Sequence, residues 1–497
     1  MHALVMSPET WRNCTVEAKL HLSERECAFA AFTRRVKPDG IAVRLHIVPG
    51  AWPQTGERDV RVWCASAVAD MRDNLEAAVR HISNLEELVL VDPSDNASLA
   101  FLSVGAMADS LTALRRLEIS TSATRTLPEY WPRGLELVTS LTTLKLPVRD
   151  RIPECLSLLD GLRELVLTPH SSGPVAGMEH LPRGLTCLVI PAAGASLRSV
   201  SRLTSLARLD IALVDHAHPD HPAAAAALDA LPTSLVSLGL VNGPSEVPRS
   251  LARMRGLDSL MLARAELGST DGFAALTALT SLRLIECNTA GVPGLDLSPL
   301  SGLTGLRNLC ARGRHAGGLA DLGVMRALTG LTTLDIDVCS NDADLAPLAA
   351  LARLHVLGLV YTHAKPLPPG APKRGIPRHI ARLASLRSLH ILDCTWASDF
   401  RAVAGMTTLT SLALAGSLRG STIPSAVAGL TRLVKLDVSR SARPLDSGFH
   451  NLRALTSLQQ LMMSGGMTPA SAAKLQAGLP DGIVVHATTV AAPTRVV

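Results

Sequence analysis

Leucines recur along this chain at spacings of three, three and two. The run Leu111, Leu114, Leu117, Ile119 has the form L-x-x-L-x-x-L-x-L, and the form returns at Leu276, Leu279, Leu282, Leu284 and at Leu328, Leu331, Leu334, Ile336. Taking the third leucine as an anchor, the series is Leu88, Leu117, Leu144, Leu165, Leu188, Leu209, Leu238, Leu260, Leu282, Leu309, Leu334, Leu357, Leu389, Leu412, Leu436 and Leu461. One anchor falls every ~25 residues, a period typical of stacked repeats. The closing L-x-L is a period-two element. Its leucines face one way and the residues between them the other, which predicts a short strand with one buried face. The leucines before it, at spacing three, predict a turn or short helix packed on the same core. A single repeat cannot bury these side chains alone. Stacking buries them between neighbours, which predicts an α/β solenoid with parallel strands along one side. Unrelated amphipathic helices would instead show a 3.6-residue period without the fixed L-x-L ending.

Four repeats also carry a hydrophobic-Pro dipeptide at a fixed offset: Ile152-Pro153, Val247-Pro248, Ile376-Pro377 and Ile423-Pro424. With its leucines, this pattern resembles the plant intracellular Ras-group leucine-rich-repeat proteins and related Ras-pathway scaffolds. The resemblance covers residues 83–466 and implies a curved horseshoe that binds proteins on its concave, strand-lined face. The sequence departs from that family five residues after each anchor, where an asparagine is usual. This chain has Cys287, Cys339 and Cys394 in three repeats, and Ser122, Thr362, Ser417 or Ser441 in others. The turns are therefore expected to be less uniform, with the cysteines as small core residues.

Composition narrows the function. Apolar residues make up 47% of the 497 and aromatics only 3%, so the core must be built from Leu, Ala, Val and Ile. The net charge of +5 is spread along the chain without a Lys/Arg run, which argues against nucleic acid as a partner. No apolar stretch approaches the ~18 residues of a membrane span, and no secretory leader opens the chain. Nine cysteines without close pairs suggest reduced thiols and a cytoplasmic setting. Residues 1–82 read as an N-terminal cap of degenerate repeats, with strands near 15–22, 41–48 and 59–65 and helices over 24–36 and 67–82. The array of about sixteen repeats follows over 83–466. A C-terminal cap over 467–490 has a helix from Thr468-Pro469 to about Leu479 and a strand Ile483–His486. Residues 491–497 read as a flexible tail.

The candidate chemistry is sparse. Asp215, His216, His218, Asp220 and His221 carry metal-ligand side chains, but they read as a polar loop before an Ala-rich helix starting at Pro222, so no metal and no cofactor is expected. Pro369, Pro372 and Arg374 fit a P-x-x-P-x-R ligand within a connector. The phosphate-loop, zinc-protease and nucleophile-elbow patterns are absent, which argues against an enzyme. The remaining expectation is a monomeric recognition scaffold. Residues one before, one after and three after each anchor should form the concave face. Val89, Val91, Val166, Val189 and Gly239 make it small or aliphatic in the N-terminal half. Charge is expected to gather from the ninth anchor, at Arg283, Arg312, Asp335, Asp337 and His390, then Lys435 and Asp437. The partner would be another protein. The alternative is a substrate adaptor of a ubiquitin ligase: Trp11-Arg12 resembles the pair that often precedes the first repeat after an F-box, although the F-box helices themselves are missing or degenerate.

Overall fold

The computed structural model describes residues 15–21, 42–48, 85–92, 104–121, 131–148, 150–169, 174–243, 248, 250–289, 295–313, 319, 321–338, 344–361, 374–376, 379–394, 397–418, 422–441, 445–464, 473–476, 479 and 483–488. They fall into two compact units, Met1–Asn242 and Gly243–Val497. In the first, parallel strands follow chain order: Thr15–His21, Ala42–Val48, Leu85–Asp92, Arg116–Thr121, Thr143–Val148, Glu164–Pro169, Cys187–Ala193, Arg208–Leu213 and Ser237–Val241. In the second they are Ser259–Ala263, Ser281–Ile285, Asn308–Arg312, Thr333–Asp337, Val356–Val360, Ser388–Leu392, Ser411–Ala413, Lys435–Val438, Gln460–Ser464 and Val484–Thr488. Each is a leucine-rich-repeat solenoid.

The anchors set the register. Leu88 pairs with Leu117, Leu117 with Leu144 and Leu144 with Leu165. In the second unit Leu260 pairs with Leu282, Leu282 with Leu309 and Leu309 with Leu334. A one-residue slip would turn these leucines out to solvent, so the hydrophobic pattern itself holds the alignment. The parallel ladder also takes in the first two strands, with Leu45 against Leu88 and Leu20 against Ile47. The expected helices over 24–36 and 67–82 and the strand at 59–65 lie outside the described residues.

The spacing of three leads to 3-10 turns rather than α-helix. A 3-10 helix has three residues per turn, so side chains at i and i+3 eclipse on one side. Leu156, Leu159 and Leu162 form such a column, all fully buried, with Leu159 N–H donating to Leu156 O at 3.1 Å and Leu162 N–H to Leu159 O at 3.0 Å. The hydrophobic-Pro dipeptide sits at the entry. Pro153 caps the turn Glu154–Leu158 in extended conformation and Pro424 caps Ser425–Gly429, while Ile152 and Ile423 are fully buried. Between the anchors Leu209 and Leu238 the turn is replaced by an α-helix, His221–Ala227, with Pro in its first turn.

Other groups do the work of the missing asparagines. Ser417 Oγ donates to Ile391 O at 2.7 Å and accepts from Cys394 N at 3.0 Å, and the Cys287 thiol donates to Leu262 O at 3.4 Å. One residue earlier, four after the anchor, the backbone is left-handed at Asn242, Arg264, Glu286, Asp393, Gly416 and Arg440. Before several strands, hydroxyls reach back to the preceding repeat. Thr142, Thr186, Thr332 and Thr410 donate to the carbonyls of Arg115, Arg163, Arg307 and Arg387 at 3.1–3.2 Å. Ser140, Ser234 and Thr408 donate to Leu114, Leu206 and Leu386 at 2.7–2.8 Å. The threonine hydroxyls add to backbone N–H bonds that the same arginine carbonyls already accept from the next repeat, whereas the carbonyls of Leu114, Leu206 and Leu386 take the hydroxyl in place of a backbone donor.

Candidate functional site

The leucines of each strand face the core, so the residues beside the anchors lie on the open face of the sheet. In the second unit the row one after the anchor reads Met261, Arg283, Cys310, Asp335, Gly358, His390, Ala413 and Asp437 in register. Arg312 lies on the strand between Arg283 and Asp335, and its Nη2 meets Asp335 Oδ2 at 2.6 Å. Hydrogen bonding to Asp335 raises the Arg312 pKa despite burial, which alone would lower it. Arg283 is exposed and has no ion-pair partner among the described residues. Cys310 sits among these charges. Burial raises its thiol pKa, Asp335 adds to that, and Arg312 and Arg283 oppose it.

The Arg312–Asp335 pair keeps unused bonding capacity. Arg312 Nε and Asp335 Oδ1 are shielded from solvent yet bonded to nothing among the described residues. Gly358 stands beside Asp335, and a Cβ there would come within 2.7 Å of Oδ1. The glycine thus keeps a notch open between the pair and His390. The His390 ring is half-buried with Nε2 2.9 Å from Ser388 Oγ. Desolvation lowers its pKa, Lys435 acts in the same direction, and Asp335 and Asp437 oppose them.

Two expectations need correction. Asp337 does not project from the open face: it is only 5% exposed. Position three after the anchor closes the strand, and burial there varies: Val360, Ala415 and Ser439 are likewise buried, whereas Arg312 keeps its side chain 40% exposed. The open face of the first unit, moreover, is not aliphatic. Arg116 meets Glu87 at 3.3 Å and Glu118 at 3.2 Å, Lys145 meets Glu118 at 2.5 Å, and Arg208 meets Asp210 at 2.8 Å. All flank anchors by one residue, so the rule applied to the later repeats identifies them equally well at Leu117, Leu144 and Leu209.

The other candidates divide. Pro369 and Pro372 lie outside the described residues, and Arg374 belongs to a two-residue strand paired with Ala397–Asp399, unlike a free polyproline segment. In the His-rich loop His221 is buried with Nε2 3.3 Å from Asn242 O, its ring lies 4.4 Å from that of His216, and His218 Nδ1 accepts from Asp220 N at 3.1 Å. These imidazoles pin the loop. Among the described residues no group of three or more His, Cys, Asp or Glu is arranged to hold a metal, and no helix is long and apolar enough to cross a membrane.

No protein-family model matches the chain, and no curated protein does. Solved structures do. A leucine-rich-repeat protein of Leptospira interrogans is 16% identical over 82% of this chain and 91% of its own, with a TM-score of 0.45. An internalin, inlF, of Listeria monocytogenes is 18% identical over 76% and 88%, with a TM-score of 0.38. The mouse RP105/MD-1 complex matches at 16% over 78% and 69%, with a TM-score of 0.47. At these identities the likeness is of fold alone, and it gives no support to the plant intracellular Ras group in particular.

Proposed function

We propose that this chain is a protein-recognition module that holds a partner protein against the open strand face of its second unit, with Arg283, Arg312, Asp335 and His390 as contact residues. The observation that carries the reading is the Arg312–Asp335 pair with its unspent Nε and Oδ1 beside an unpartnered Arg283. Side chains already fixed on a hydrogen-bonded sheet lose little entropy on binding, and charge-assisted bonds give orientation. Asp337 contributes from beneath, as a buried charge near Cys310. The module acts by binding rather than catalysis, as a monomer. A reducing, cytoplasmic setting accords with the described cysteines, all free thiols.

The test is a charge swap. Affinity purification from cells first yields the partner. Arg312→Asp with Asp335→Arg then keeps an ion pair and the fold but reverses its polarity, and Arg283→Glu removes the free cation. Loss of binding by at least ~10-fold with an unchanged urea midpoint supports the reading, since a charge-assisted bond is worth more than a kcal/mol. Unchanged affinity in both variants refutes it.

A further inference from the structure

Away from the strand face, on the flank of the second unit where the turns run into the strands, there is a cavity of about 560 Å³. Its lining includes Arg387, Arg432, His355, Ser385, Thr408 and Ser457, and no acidic residue. Arg387 and Arg432 are both exposed, and neither has an ion-pair partner among the described residues. Two uncompensated cations in one concavity repel each other, and an anion between them would remove the repulsion.

The walls are built rather than accidental. Thr408 Oγ1 donates to Leu386 O at 2.8 Å and Thr410 Oγ1 to Arg387 O at 3.2 Å, so the backbone bearing Arg387 is tied to the next repeat at two successive carbonyls. The in-register pairs Leu389 with Leu412 and Leu412 with Leu436 hold the three repeats in sequence. Arg163, at the equivalent position in the first unit, instead turns its Nη1 to the carbonyls of Asp160, Leu162 and Gly184.

We infer that this cavity is a binding site for a phosphate monoester. Two guanidiniums offer more charge, and with the imidazole more hydrogen-bonding positions, than a single carboxylate can use. A phosphate monoester carries nearly two charges at neutral pH and three terminal oxygens, and guanidinium forks match phosphate oxygens in pairs. The ester has two possible sources, a phosphorylated side chain of a protein or a small phosphorylated metabolite. The cavity accepts either.

The experiment is calorimetric titration of the full chain with three probes: O-phosphoserine, a short phosphoserine peptide and its unphosphorylated form. Binding of either phosphorylated probe, with none by the plain peptide, is the expected result. Tighter binding of the phosphopeptide identifies a protein source, and equal binding a free ester. Arg387→Gln with Arg432→Gln is expected to weaken binding by at least ~10-fold, because each removes charge-assisted bonds, while Arg326→Gln on another turn leaves it unchanged. Both changes are on exposed side chains, and an unaltered urea midpoint shows that the fold is intact. The inference is overturned if neither phosphorylated probe binds, if the double variant binds as tightly as the parent, or if Arg326→Gln is equally damaging.

Discussion

Gly416→Ala tests how the turns of the second unit are built. Gly416 has φ +69°, and a Cβ there would stand 2.2 Å from Asp393 Oδ1 and 3.3 Å from Asp393 Cα. Asp393 is not free to swing away, because both its oxygens accept from Arg440 Nη2, at 2.8 and 2.9 Å. The pair thus spans one repeat, and the glycine is the gap through which it passes. Two costs combine: the left-handed conformation for a residue with a Cβ, about 1–2 kcal/mol, and loss of a half-exposed ion pair, about 0.2–1 kcal/mol. The expected destabilisation is about 1.2–3 kcal/mol, read as a fall in urea midpoint, since urea leaves the ion pair unscreened. Asp393→Gly removes the obstructing carboxylate, so in that background Gly416→Ala should cost only the backbone share of about 1–2 kcal/mol. Gly405→Ala is the control. Nothing lies within 4 Å of its added Cβ, and it is expected to be neutral or to stabilise by about 0.4–1 kcal/mol. Equal effects at Gly416 and Gly405, or the same Gly416→Ala cost with and without Asp393, would refute the reasoning.

Other outcomes follow from single contacts. Ser417→Ala strands Ile391 O and Cys394 N in the core and should cost about 1–3 kcal/mol by urea denaturation. Cys287 is fully buried and its thiol is pushed up to about 11, chiefly by burial. At pH 8 only about one thiol in a thousand is ionised, so mass spectrometry after alkylation should find Cys287 unmodified until denaturant is added, with the half-buried Cys155 modified before it. His390 is held below its usual 6.5 by desolvation, so the native state binds its proton less readily than the unfolded chain. Its contribution is complete above about pH 6.5 and is lost as pH falls through the lower native value. Accordingly, the parent should lose more stability than His390→Gln between pH 7.5 and 5.5. Parallel curves would remove His390 from the pH dependence.

Much of the architecture is legible in the leucines because one spacing specifies each part. Period three, as in Leu156, Leu159 and Leu162, is the pitch of a 3-10 turn, and period two, as in Leu282 and Leu284, is a half-buried strand. What stays hidden depends on pairing across repeats. Asp393 and Arg440 are 47 residues apart, and nothing in either segment announces the other. The left-handed position four after the anchor is occupied by Arg264, Glu286 and Arg440, residues that carry no turn signature. Asp337 misled for a related reason: alternation along a strand says which side a residue faces but not where the strand stops. The charges at Arg116, Glu118 and Lys145 were readable by the neighbour-of-anchor rule.

The hydroxyl ties that flank the strands have a direction. Thr142 donates to Arg115, Thr410 to Arg387, Ser140 to Leu114 and Ser417 to Ile391, in every case from a later repeat to an earlier one. A ribosome delivers the earlier repeat first. Each newly emerged repeat therefore finds its acceptors already displayed and brings the donors with it, so the array can be laid down course by course during synthesis. The asymmetry extends to fragments. A chain cut short at its C-terminus leaves the acceptor carbonyls of these ties to water, which satisfies them easily, whereas one that begins midway presents their hydroxyl donors with no course beneath them.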